Sequence, residues 1–196
     1  MAIGAKVLTR KDMENLAVVL GTQNIIPWTW FDEVDLATSG NPVQLQFFSH
    51  TRGANQLYVT NMEASNQFIS GKVFVVQEIA LDLTQDTLAA TTVQDYVKAA
   101  QGSAAFDFQI NGASYAQDTV QRLLGGGLAG FNGTTAAMFQ YACSRAMRPY
   151  RLPAPIVIPT QTNFTLTFYY GSAPAPSNPV RLQAKLIGQL ARLAAA

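Results

Sequence analysis

The stretch TNFTLTFYYG, residues 162–171, governs how the rest of the chain is read. In an extended backbone successive side chains point to opposite faces, so Phe164, Leu166, Phe168 and Tyr170 share one face and Thr165, Thr167 and Tyr169 the other. A strand this one-sided must lay its apolar face against a second layer. That layer either lines a pocket for chemistry or forms the wall of a sheet.

The neighbouring segments repeat the pattern. PIVIP (155–159) precedes the stretch and VRLQAKLIG (180–188) follows it, separated by the proline-rich turn GSAPAPSNP. Upstream, VQLQFFSH (43–50) alternates Val43, Leu45 and Phe47 against Gln44 and Gln46, and NQLYVTNM (55–62) supplies another short strand. GKVFVVQEIALDL (71–83) is a long apolar run rich in β-branched residues, as a central strand covered on both faces should be. AFDFQI (105–110) ends in Asn111-Gly112, a strong hairpin signal, so ASYAQDTV should return antiparallel to it.

Two helices are expected. TRKDMENLAVVLG (9–21) offers Thr9 as N-cap, Asp12 three residues on and Gly21 as a stop. TTVQDYVKAAQG (91–102) spaces Val93, Tyr96, Val97 and Ala100 along one helical face. The end, IGQLARLAAA, reads as a short terminal helix or a tail. In NIIPWTWFDEVDL (24–36), Pro27 is expected to interrupt any regular element. About eight strands with irregular links predict an all-β fold: an antiparallel two-sheet β-sandwich of jelly-roll type, with a short N-terminal helix and one inserted helix. Residues 1–40 are assigned to an N-terminal arm and 41–196 to a single sandwich domain.

Composition narrows the function. Of 196 residues, 48% are hydrophobic and only 13% charged, about half the usual share of charge, as befits a surface largely buried against partners. Thirteen Lys and Arg against 12 Asp and Glu give a net charge of +1, without the basic footprint of a nucleic-acid binder. Arg145, Arg148 and Arg151 form the one dense basic cluster. The single cysteine, Cys143, allows no internal disulfide. The N-terminus lacks the apolar core of a secretion signal.

Catalytic material is sparse. His50 is the only histidine, which argues against a multi-imidazole metal site, and Ser-His-Asp or Cys-His chemistry would have to run through it. Among the acids, Glu78 stands out because it interrupts an apolar strand and would need a partner if buried. The glycine run LLGGGLAGFNG (123–133) lacks the Gly-Lys-Ser/Thr of a phosphate cradle. Leu123 to Ser144 carries no charge, yet its amides, threonines and glycines make it a poor membrane span and a better surface loop. No catalytic residue, cofactor or metal ligand is assigned, and the chain is read as a non-enzyme.

In FVVQEIALDL, FDFQINGASYAQDTVQRLLGGG and above all APIVIPTQTNFTLTFYYG followed by NPVRLQAKLIGQLAR, the chain resembles the jelly-roll structural proteins of tailless icosahedral bacteriophages. The shared features are the Pro-flanked strand Pro155 to Pro159, the Asn163-Phe164 strand start, and Leu186, Gly188, Leu190 and Arg192 near the end. The resemblance covers about residues 70–192 and is a pattern of strands, with no counterpart for the first 40 residues. It implies a capsid subunit located in the virion and assembled in the host cytoplasm. It also implies contacts with copies of itself and other capsid proteins and, where such shells enclose a membrane, a possible lipid contact for the glycine-rich loop. No specific nucleic-acid partner is implied. The candidate subunit contacts are Trp28, Trp30, Phe31, Leu123, Leu124, Leu128, Phe131, Leu190 and Leu193. The alternative is a β-sandwich carbohydrate-binding or adhesin-like module, with Trp28 or Trp30 beside Asp32 as its stacking platform.

Overall fold

A computed structural model describes residues 22–54, 59–83, 104–123, 149–176 and 179–193. The expected helices at 9–21 and 91–102 lie outside these residues, as does nearly all of the glycine-rich run. The described elements are β1 (Thr22–Leu36), β2 (Gln44–Phe47), β3 (Lys72–Leu83), β4 (Ala104–Ile110), β5 (Ala113–Thr119), a single helical turn α1 (Val120–Leu123), β6 (Tyr150–Ile158), β7 (Phe164–Tyr170) and β8 (Val180–Leu193). They form two four-stranded antiparallel sheets, ordered β1-β8-β3-β6 and β2-β7-β4-β5. The protein is thus an all-β sandwich with almost no helix among the described residues.

The opening stretch behaves as its alternation demands. Phe164, Leu166 and Phe168 are fully buried, while Tyr169 on the other face is exposed. They meet Phe47, Phe106 and Phe108 of their own sheet, with Phe74, Ile79, Leu182 and Leu186 of the opposite sheet completing one core. Phe68, in the β2–β3 connection, bridges the layers, its ring 4.8 Å from Phe164, 5.1 Å from Trp30 and 5.7 Å from Phe74. Each such side chain contributes roughly 2–3 kcal/mol by leaving water. β3 is covered on both faces, with Val73 and Val75 as buried as Phe74 and Val76.

The β4–β5 hairpin closes through Asn111 and Gly112, both at positive φ (50° and 77°), the type I′ geometry that matches strand twist. A different constraint acts at Gly188. It pairs with Trp28 on one side and Val76 on the other, beside a β-bulge in β3. A Cβ there would lie 1.9 Å from the Val75 carbonyl oxygen, so glycine is required for space.

Four expectations are corrected. Pro27 does not interrupt regular structure: β1 runs through it, because β1 is an edge strand. The Phe31 N–H and C=O both face away from β8, and by the two-residue alternation so does the position of Pro27, where no ladder bond is lost. Residues 22–36, assigned to the arm, are accordingly an integral strand of the first sheet. At the other end IGQLARL continues β8 to Leu193, because Leu186 and Leu190 keep the inward alternation against β3 and β1. The candidate strand at 55–62 is, in its described part, a single bridge between Thr60 and Asp32.

Candidate functional site

The feature richest in polar contacts is the open edge of β1. Asn61 stands in for a neighbouring strand there: its Oδ1 accepts the Phe31 N–H at 2.9 Å and its Nδ2 donates to the Thr29 carbonyl at 2.8 Å. The Asn61 N–H and the Thr60 hydroxyl both donate to the Phe31 carbonyl. One side chain thus caps part of an edge that would otherwise offer unpaired groups to any passing strand. Beside it, Pro27, Trp28, Thr29 and Asn61 line a shallow depression of about 360 Å³ together with Ile187 and Gly188.

One residue further along, β1 turns Asp32 into the interior, where it is fully buried. Its Oδ2 accepts the Phe48 N–H at 2.6 Å, and His50 Nδ1 lies 3.1 Å from both carboxyl oxygens. Burial pushes the Asp32 carboxyl above its ordinary range, and His50, the Phe48 amide and Thr60 only partly offset this. The arrangement has a structural consequence. Phe48 sits at φ 67°, a left-handed conformation that costs an ordinary residue about 1–2 kcal/mol, and the buried carboxylate holds its amide there. The Asp32–His50 pair therefore pins the chain leaving β2 to the edge strand of the other sheet. A carboxylate that orients an imidazole is also half of a catalytic triad; here the pair sets loop geometry, and the hydroxyl beside it, that of Thr60, is engaged by the Asp32 carboxyl and the Phe31 carbonyl.

The predicted contact residues divide sharply. Trp28 is 36% exposed and packs edge-on against Trp30 at 5.8 Å. Phe31 is half-buried. Trp30, Leu123 and Leu190 are inside, at 2, 1 and 1% exposure, so they support the core and offer no side-chain surface to a partner. Inward alternation along β1 and β8 puts Trp30 and Leu190 there, and α1 turns Leu123 under the sheet. Leu193 ends β8 opposite Thr22. Leu124, Leu128 and Phe131 lie outside the described residues, as do Cys143, Arg145 and Arg148. A sugar platform of Trp28 or Trp30 with Asp32 does not form, since Trp30 and Asp32 are both buried. Glu78 is half-exposed at the β3 bulge, opposite Arg151, and so escapes the cost of burial.

The Asp32–His50 pair and the Asn61 cap were not anticipated. Asp32 had a usable signal: once 24–36 is read as a strand, Trp30, Asp32, Val34 and Leu36 share its inward face. Asn61 carried none, because its role depends on a fold-back that no local pattern announces. No family model, curated protein or solved structure matches the chain.

Proposed function

We propose that the protein is a jelly-roll capsid subunit of a tailless icosahedral bacteriophage, whose work is self-assembly. The observation that carries this reading is the strand pairing. β1 pairs with β8, β2 with β7, β3 with β6 and β4 with β5. Four nested antiparallel pairs are what one long ribbon wound into two sheets would give, and they support the jelly-roll reading. The resemblance of residues 70–192 to phage shell proteins supplies the function that the fold alone does not.

The physics suits assembly. Closed symmetry repeats one modest interface many times, so each contact is weak while the shell is stable. Trp28 is the described aromatic best placed for such a contact, at an edge and beside an open depression. Its partners would be copies of this chain and other shell proteins, and an enclosed membrane where the virion has one.

Sedimentation velocity over a concentration series tests the reading. The expected result is a defined oligomer or larger closed species, weakened in Trp28→Ser while the monomer's thermal unfolding changes little. A monomer at every concentration would count against it.

A further inference from the structure

The outer face of the second sheet has no role in the shell reading, and its composition is specific. Following the register across the four strands, Gln44, Tyr169, Ala105 and Thr119 form one outward row. Gln46, Thr167, Asp107 and Gln117 form the next, and Thr165, Gln109 and Ser114 a third. These rows are almost entirely amides and hydroxyls. Because Ala105 is small, the first row sinks between Tyr169 and Thr119, and a depression of about 500 Å³ opens there, floored by Ala105 and bordered by Asp107 and Gln117. That volume is within the ~300–1,000 Å³ usual for small-molecule sites.

Two groups give the depression its chemistry. Tyr169 is 37% exposed, with its ring at the rim and its apolar side available for stacking. Asp107 is held in place: Gln109 Nε2 donates to its Oδ2 at 2.5 Å and the Ser114 hydroxyl to its Oδ1 at 2.6 Å. Each carboxylate oxygen has a second lone pair, so a fixed acceptor remains for hydroxyl donors. It is 6% exposed and still lines the depression. Among the described residues no lysine or arginine lines the depression; Asp118, which does line it, is paired with Arg122 at 3.4 Å.

We infer that this face is a binding site for a neutral glycan, with a pyranose ring stacked on Tyr169 and its hydroxyls donating to Asp107 and exchanging hydrogen bonds with Gln117 and Thr119. The charge pattern selects the ligand. An anionic sugar or phosphate would meet two carboxylates, Asp107 and Asp118, with Arg122 already paired to the second, and an apolar peptide would strand a field of amides and hydroxyls. A neutral polyol matches both the acceptors and the donors. The inference is independent of the shell reading and would hold for a soluble monomer.

Saturation-transfer NMR on the full chain tests it, with lactose, cellobiose, maltose and N,N′-diacetylchitobiose as neutral probes and sialyllactose as the anionic control. At least one neutral disaccharide should show transfer. It should lose affinity roughly tenfold in Tyr169→Ala, be retained in Tyr169→Phe, and be unaffected in Trp28→Ala. Asp107→Asn should weaken it while thermal unfolding shows the variant folded. Absence of transfer from every neutral probe would overturn the inference. So would transfer that survives Tyr169→Ala, or sialyllactose binding as well as the best neutral probe.

Discussion

Replacing Gly188 by alanine gives the sharpest test of the sheet geometry. In regular backbone that change usually stabilises a protein by about 0.4–1 kcal/mol, because the unfolded chain loses freedom. Gly188 has no left-handed conformation to forbid the substitution; what forbids it is space. The added Cβ would stand 1.9 Å from the Val75 carbonyl oxygen, 2.9 Å from its carbonyl carbon and 3.2 Å from the Val76 Cα. A tolerable C···O contact is ~3.3 Å, so the strands must part by about 1.4 Å. The atoms in the way belong to backbone and cannot swing aside. Separation sacrifices two or three β3–β8 ladder bonds at ~1 kcal/mol each and loosens the core beneath them. The total is about 3–5 kcal/mol, which for a domain of this size lowers the melting temperature by roughly 6–20 °C. Differential scanning calorimetry of Gly188→Ala against the parent reads this directly. A melting temperature unchanged or raised would refute the close approach of β8 to the β3 bulge.

Other substitutions probe the remaining devices. Gly112→Ala meets no atom within 4 Å but must adopt φ 77°, so it should cost only about 1–2 kcal/mol in urea unfolding, well below Gly188→Ala. Asn61→Ala leaves the Phe31 amide without its acceptor and should cost about 1–3 kcal/mol, with faster aggregation by light scattering as the β1 edge opens. Asp32 binds its proton more tightly folded than unfolded, so its contribution favours the native state at low pH and is lost as pH rises from 3.8 through the raised folded value. Asp32→Asn removes that term. Its melting temperature relative to the parent should therefore climb as pH rises through this window, and a flat difference would show that Asp32 titrates normally.

The strands were legible where alternation was strict and turns were chemically marked. Phe164 to Tyr170, the Asn111-Gly112 hairpin and the doubly buried run at 72–83 all read correctly because period, turn residues and β-branching agreed. The N-terminal strand was misread because Pro27 is a local signal for interruption, and only the sheet order reveals that its missing N–H faces away from any partner. The continuation of β8 past Gly188 was ambiguous because leucine and alanine suit helices as well as strands, and pairing on both sides decided it. Of the candidate contacts, aromatic density marked Trp28 and Trp30 alike. Parity alone would have put both on the inward face; Trp28 stays exposed on the edge strand, where its cross-strand partner is Gly188, which has no side chain to cover it. The polar face around Tyr169 and Asp107 follows from cross-strand register, which no single segment encodes.

The most direct test of the central claim is cryo-electron microscopy of the concentrated protein. Closed particles of uniform size are predicted, with subunit density holding two four-stranded sheets in the order β1-β8-β3-β6 and β2-β7-β4-β5. Fields of isolated monomers at every concentration and ionic strength, with no regular particle, would contradict the assignment of this chain to a shell.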